Sequence, residues 1–280
     1  MGIQDLEIHL SPKTVFQIAP GIPVTNTVIT MWVVMAILIG LALAVRLTLK
    51  FVPKGFFQNF VEWSLHGLYN FMEEVGGKAA KKHFTIFITF FLTILFSNWL
   101  GIAMGLIAEE SGFLRAPTSD LNTTAAFALV AFIYFEYQGM KSHGFLGHLG
   151  HFVNLKALFT GGGMGIIDFF VGLLHIVSEL VRPLALALRL FGNIFGGEIV
   201  LTVAFLLIGP AFPLPFMGLE VIIGLIQAFV FSVLFLTFTT LNTAHEEEDN
   251  EVIAPTKEEQ SAPIDVIVGR AQHGKSGVPA

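Results

Sequence analysis

The sequence predicts an all-α integral membrane protein. About five membrane-crossing elements are expected, with an interfacial amphipathic helix and a long tilted or bent helix carrying Arg189. Three observations predict it. Of the 280 residues, 54% are hydrophobic and 13% charged, more apolar surface than a soluble domain hides. The apolar residues gather into runs of about 20 or more, the length that crosses a hydrocarbon core. Lysines and arginines fall between these runs, concentrated on alternate loops.

The N-terminal arm, residues 1–24, is mixed in character and holds Pro20, Gly21 and Pro23. No basic region precedes an apolar core there, so no cleavable leader is expected. The transmembrane body, residues 25–241, opens with an uncharged span from Thr25 to Val45, closed by Arg46 and Lys50. Pro53 to Val75 then carries Phe57, Val61, Leu65, Leu68, Met72 and Val75 on one face. Asn59, Glu62, His66, Asn70 and Glu73 recur on another. That period predicts an amphipathic helix resting in the interface, or packed on the protein's own loops.

Lys78, Lys81, Lys82 and His83 precede a second span, Phe84 to Ile107, and an acidic loop with Glu109, Glu110, Arg115 and Asp120 comes after it. The third span runs from Leu121 to Tyr137, with Ser119, Asp120 or Asn122 as its N-cap. Glu136 lies near its far end, where a carboxylate reaches the headgroups. Lys141 to Gly165 reads as a hydrated interfacial loop. His143, His148 and His151 are spaced by five and three residues, which does not bring all three to one helix face, so no metal site is expected.

Ile166 to Ile208 forms one helical pattern of 43 residues. At 1.5 Å per residue it would be about 64 Å long, roughly twice the core thickness. It must break near Pro183 or lie strongly tilted. The GPAFPLP turn at Gly209 to Pro215 ends it, and a final span runs from Phe216 to Leu241. Lys and Arg dominate the loops after spans one and three. The positive-inside rule therefore places the N-terminus outside and the C-terminus in the cytoplasm, with an odd number of crossings.

The tail, residues 242–280, carries most of the chain's net charge of −6 and reads as a disordered acidic segment. Its GRAQHGKS stretch, Gly269 to Ser276, matches a phosphate-loop pattern literally. No helix or α/β domain accompanies it to cradle a phosphate, so no nucleotide site is expected. Cysteine is absent, excluding disulfides and thiolate metal sites, and no basic patch suggests nucleic acid.

One residue resists a structural explanation. Arginine keeps its charge at any biological pH and costs about 2.5–3.5 kcal/mol at the centre of a membrane helix on insertion scales. Around Arg189 the positions three and four residues away are Ala185, Leu186, Gly192 and Asn193, none of them a carboxylate. Glu179 and Arg182, by contrast, form an i,i+3 pair. His175, Glu179, Arg182, Arg189, Asn193 and Gly196 recur at steps of three, four or seven as a polar and small-residue stripe. Gly192 and Gly196 have the spacing that admits a close helix neighbour. Glu198 lies nine residues beyond Arg189, on the opposite side of the helix and about 13.5 Å along it, so the two do not pair. On the last span Glu220 and Gln227 share a face. An antiparallel partner would put Gln227 near Arg189 and Glu220 near Glu198. Intramembrane carboxylates without local cations are candidates for a proton relay, or else merely hydrated groups near the interface.

Leu188 to Asn193 (LRLFGN), Gly197–Glu198, Gln227–Ala228–Phe229 and Pro117 to Thr124 (PTSDLNTT) resemble subunit a of F-type ATP synthases. The resemblance covers about Thr25 to Leu241. It implies a non-catalytic, ion-conducting stator in a bacterial plasma membrane, without cofactors. Its implied partners are a rotor ring of small hairpin subunits, peripheral-stalk subunits and the lipid bilayer. Arg189 would match the arginine that faces the ring. Glu198 and Glu220 would match positions lining the outer half-channel, and Asn193 and Gln227 polar positions near the arginine. The family varies between Glu and His at the two channel positions; here both are Glu. The acidic tail and the histidine-rich loop depart from the family pattern. Read without that resemblance, the same residues also fit a self-contained proton-coupled transporter that binds an anionic substrate at Arg189, or an assembly scaffold.

Overall fold

The computed structural model describes residues 13–19, 22–48, 55–107, 115–143, 162–209 and 212–243. Among the described residues six α-helices form the body: α1 (Asn26–Thr48), α2 (Phe56–Ala80), α3 (Phe84–Ile107), α4 (Leu121–His143), α5 (Gly162–Ile208) and α6 (Leu214–Thr243). Their order and approximate limits follow the apolar runs of the sequence. Ahead of them, in the N-terminal arm of mixed character, lies an antiparallel hairpin of β1 (Thr14–Ala19) and β2 (Ile22–Thr25). The Asn26 N–H donates to the Lys13 carbonyl at 3.0 Å, so the hairpin runs directly into α1.

The core is built from α3, α4, α5 and α6. Phe90, Phe91, Ile94 and Leu95 meet Ala128 and Ala131, Leu186, Ala187 and Leu190, and Ala228, Phe231 and Phe235. Phe90 lies with its ring centroid 5.0 Å from Phe235 and 5.5 Å from Phe231. Small alanines opposite large rings let the helices approach closely. In lipid this packing, with hydrogen bonds between helices, replaces the hydrophobic effect as the driving force. The outward faces are apolar as well: Ile39, Leu43 and Leu47 on α1, Leu180, Leu184 and Leu188 on α5, and Leu219, Ile222 and Ile226 on α6 are exposed. Lipid is the solvent that suits such a surface.

Among the described residues four stretches are long and apolar enough to cross a membrane: Asn26–Thr48, Phe56–Ala103, Phe170–Phe205 and Leu214–Thr243. The element α4 is less apolar, because Asn122, Thr123, Thr124, Glu136 and Gln138 dilute it. It nonetheless packs against α5 and α6 with Ala128, Ala131 and Phe135 buried, and completes the multi-pass bundle.

The long helix is unbroken. Helix α5 runs 47 residues through Pro183, about 70 Å at 1.5 Å per residue. Of the two arrangements the sequence allowed, the break does not occur, and the helix is about twice as long as a core about 30 Å thick. Pro183 frees only the Glu179 carbonyl, and membrane helices tolerate such a loss where neighbours cover it. The amphipathic stretch is a helix, and part of its apolar face packs inward. Met72 is buried against Phe87 and Leu236, whereas Glu62, His66 and Asn70 lie at or near the surface. Phe56, Phe60 and Trp63 form an exposed aromatic row at one end, the residue type that anchors at a headgroup interface. The turn from α2 into α3 depends on Gly77, whose φ of 68° is open to glycine at little cost. A Lys81–Glu73 ion pair of 2.6 Å ties that corner. His148, His151 and the GRAQHGKS stretch lie outside the described residues, as do the acidic tail from residue 244 onward and the His143 side chain.

Candidate functional site

The site is assembled where α5 and α6 run antiparallel. Two contacts set their register. The Asn193 amide Nδ2 donates to Gln227 Oε1 at 2.6 Å. One turn further on, a Cβ on Gly197 would lie 2.6 Å from Glu220 Oε1, so glycine is what lets the Glu220 carboxyl lie against the α5 backbone. Of the two pairings expected from helical spacing, Glu220 does lie against Gly197, next to Glu198, whereas Gln227 bonds Asn193, one turn beyond Arg189, and not Arg189 itself.

Arg189 points outward. It is exposed, and among the described residues it has no ion pair or hydrogen bond. Gly192 beside it would have nothing within 4 Å of an added Cβ, and the same holds for Gly196. Ala185, one turn before Arg189 on the same side, is exposed as well. The result is a smooth, apolar and glycine-lined face with one fixed positive charge.

The polar stripe does not remain on one face. Glu179 is buried, with only 4% of its surface exposed, and its Oε1 accepts from Arg182 Nη1 at 2.7 Å. Arg182 also lies over the Phe238 ring, 5.0 Å from its centroid, and near Asn242 Oδ1 at 3.5 Å. The Glu179–Arg182 pair thus turns into the bundle while Arg189 turns out of it. The stripe spans about a quarter turn, wide enough for its members to serve different neighbours. The His175 side chain lies outside the described residues. Glu136 is half-buried, with its Oε1 shielded from solvent.

Glu198 does have a cation, but not a local one. Arg115 reaches Glu198 Oε2 with Nη2 at 2.7 Å and Nε at 2.9 Å, and its guanidinium lies 5.9 Å from the Phe195 ring centroid. The residues after Arg115 anchor it. Ala116 packs against Gly101 so closely that no Cβ fits there. Thr118 Oγ1 donates to Asn98 Oδ1 at 2.6 Å, and Asn98 Nδ2 donates to the Gly224 carbonyl at 3.0 Å. Trp99 Nε1 adds a bond of 3.1 Å to the Val221 carbonyl. Asp120 caps α4, accepting from the Asn122 N–H at 2.9 Å and from Thr27 Oγ1 at 3.0 Å. Of the three N-cap candidates, Asp120 is the one used.

One end of the bundle thus concentrates polar groups: Arg115, Glu198, Glu220, Asn98 and Thr118. Glu220 is only 5% exposed and its Oε2 has no hydrogen-bond partner, and Gln227 Nε2 is likewise buried without one. Buried polar atoms left this way mark a place where water or a transferable proton belongs. The sequence of the family described as ATP synthase A chain matches residues 28–240, nearly the whole body that builds this arrangement. The chain belongs to that family.

Curated relatives agree. ATP synthase subunit a of Moorella thermoacetica is 36% identical over 231 residues, covering 82% of this chain and 95% of the relative. ATP synthase subunit a of Gloeobacter violaceus is 35% identical over 245 residues, covering 87% and 93%. That of Nitratidesulfovibrio vulgaris is 39% identical over 207 residues, covering 74% and 81%. All three come from bacteria. As a member of the ATP synthase A chain family, this multi-pass protein works in ATP synthesis and proton transport within the membrane sector. Arg115, Asn98 and Thr118 were not singled out as site residues from the sequence. The signals available were the PTSDLNTT stretch just after Arg115, and an asparagine within the otherwise apolar run FSNWL.

Proposed function

We propose that the chain is the ion-conducting stator of a rotary ATP synthase. In this reading two aqueous half-channels end at the α5–α6 pair, and Arg189 faces a rotor ring of small hairpin subunits. The reading is carried by one observation: an exposed arginine without a partner, on a glycine-lined face of a membrane helix. A static buried ion pair would explain an intramembrane arginine, and Glu179–Arg182 is such a pair. Arg189 is not.

The mechanism rests on charge. A proton enters from the end marked by Arg115 and passes by way of Glu198 and Glu220 to the ring's carboxyl group. When that carboxylate comes round to Arg189, the fixed positive charge favours its ionised form, and it releases its proton to the other half-channel. Arg189 also bars a direct leak, because its own charge cannot be switched off. Asn193 and Gln227 line the approach, with Gln227 Nε2 as a spare donor. Each elementary charge crossing 100 mV releases about 2.3 kcal/mol, so several per turn can drive synthesis in a catalytic head elsewhere in the complex. The chain itself carries no catalysis. The alternating lysine-rich loops favour an N-terminus outside and a C-terminus in the cytoplasm of a bacterial inner membrane, with residues 25–241 as the membrane body and peripheral-stalk subunits holding it still.

ATP-driven proton pumping in membrane vesicles tests this. Arg189→Lys replaces a planar, permanently charged group by a point charge whose pKa falls on burial, and pumping is expected to be lost. Wild-type pumping by that variant overturns the reading. A self-contained transporter would instead show substrate uptake by the purified chain in liposomes.

A further inference from the structure

An open groove of about 790 Å³ runs along α2 where that helix meets Phe84, the first residue of α3. Glu62, Trp63, His66 and Tyr69 line it from α2, and among the described residues no lysine or arginine does. Trp63 also belongs to the exposed aromatic row with Phe56 and Phe60. The groove therefore continues a surface of the kind that meets lipid headgroups.

This groove has a carboxylate and a ring but no cation of its own. Glu62 Oε1 accepts from the Gln58 amide at 2.7 Å, a neutral partner, and among the described residues Glu62 has no ion pair. Trp63 is 75% exposed, and no cation of the described chain lies over its ring. The far end of the same groove shows what completes such a set. There the Lys81 ammonium lies 4.8 Å from the centroid of the Tyr69 ring and pairs with Glu73 at 2.6 Å. A carboxylate beside an aromatic ring thus already holds an ammonium group on this helix. Glu62 and Trp63 repeat that chemistry one to two turns away, without a lysine to fill it.

We propose that the groove binds the primary ammonium of a zwitterionic phospholipid headgroup, the chemistry of phosphatidylethanolamine. Glu62 supplies the charge and accepts N–H bonds, and Trp63 offers its π face. His66, one turn on from Glu62, adds an imidazole nitrogen as a second acceptor. The Asn59 side-chain amide, also in the lining, can donate to the phosphate. A primary ammonium suits the site better than a quaternary one, which has no N–H for the carboxylate to accept. A lipid suits it better than a lysine from another protein, because the groove runs into the aromatic row. The inference rests on the membrane setting and not on the ion-conducting role, since none of these residues belongs to the α5–α6 site.

The purified, delipidated full chain in neutral detergent tests it by native mass spectrometry. It is titrated separately with phosphatidylethanolamine, phosphatidylcholine and phosphatidylglycerol of the same acyl chains, and phosphatidylethanolamine should bind most tightly. Exposed ion pairs and exposed cation–π contacts are each worth about two- to fivefold. Glu62→Gln should lower phosphatidylethanolamine affinity by that factor and remove its margin over phosphatidylcholine. Trp63→Leu should weaken both ammonium lipids by the same factor and leave phosphatidylglycerol unchanged. Glu74→Gln, at an exposed carboxylate of α2 outside the groove, should change none of them. Glu62 and Trp63 are both exposed, so the variants should keep their fold, which helical circular dichroism checks. Equal binding of the three lipids by the wild-type chain overturns the proposal. So does a preference that survives Glu62→Gln or is lost equally in Glu74→Gln. If Glu62→Gln leaves lipid binding intact and instead releases a protein from the detergent-extracted complex, the groove is a protein interface and the proposal fails.

Discussion

Arg115 and Glu198 are separated by 83 residues and joined by two nitrogen–oxygen contacts, so their coupling can be measured directly. The perturbation is Arg115→Met, which keeps an unbranched stem and removes the charge, combined with Glu198→Gln. The pair is neither on the surface nor fully enclosed: the side chains are 15% and 26% exposed. Exposed pairs contribute about 0.2–1 kcal/mol, whereas removing one partner of a buried pair costs about 3–5 kcal/mol. An intermediate burial places each loss near 2 kcal/mol. Arg115→Met also loses the stacking over Phe195, worth about 0.5 kcal/mol more. Glu198→Gln should therefore cost about 2 kcal/mol and Arg115→Met about 2.5. The double variant should cost about 2.5 kcal/mol rather than the sum, because neither charge is then left alone. Equilibrium unfolding of the purified chain in mixed micelles, followed by helical circular dichroism, gives all three values. Additivity within about 0.5 kcal/mol would mean that the two residues do not act on each other, and the picture of Arg115 as the cation of Glu198 would fail.

Further expectations concern the same bundle. Gly101→Val should destabilise the chain by about 1–3 kcal/mol through overpacking against Ala116, and should also displace the turn that carries Arg115; a thermal melt and vesicle proton pumping measure the two effects. Leu190→Ala, at a position with no exposure, should cost only about 1–2 kcal/mol in detergent unfolding, because in lipid the loss is of packing contacts rather than of transfer from water. Asn193→Ala removes the 2.6 Å bond to Gln227 and should cost about 0.6–1.7 kcal/mol in the same assay while lowering pumping. Glu198→Gln/Glu220→Gln should slow passive proton flux through the membrane sector, and unaltered flux would count against a channel at that end.

Much of the fold was legible because lipid simplifies the code. Where every backbone group must be satisfied within its own segment, a long apolar run has one regular answer, and α1, α3, α5 and α6 fall where those runs lie. The illegible parts depended on contacts. The stretch Thr14–Ala19 is too short and mixed for its alternation to stand out, and only pairing with Ile22–Thr25 makes it a strand. Pro183 reads as a break in isolation, since it costs a hydrogen bond and clashes with the preceding turn. Packing of Leu186, Ala187 and Leu190 on α3, α4 and α6 holds α5 continuous through it. Neither outcome could be had from local propensity alone.

The site shows the same division between spacing and contact. Periodicity along α5 and α6 was enough to expect Glu220 near Glu198 and Gln227 near Arg189, because two antiparallel helices have few registers once one pair is fixed; that Gln227 bonds Asn193, one turn beyond Arg189, and that Glu220 lies against Gly197 are contacts no spacing supplied. Periodicity also separated Glu198 from Arg189. It could not supply the cation that Glu198 does have, because Arg115 lies in a short irregular segment with no period to read. The difference between the two arginines is physical. Arg115 is held by a chain of specific bonds running from Thr118 through Asn98 to the Gly224 carbonyl, so its charge is fixed on one carboxylate. Arg189 has no such support, and its glycine neighbours keep the space before it clear. A charge that must meet successive carboxylates on a moving partner has to be unpaired between meetings. A charge that steadies one carboxylate has to be tethered. In the proposed function Arg189 is of the first kind, and Arg115 is of the second, meeting α5 at Glu198 about two and a half turns beyond Arg189.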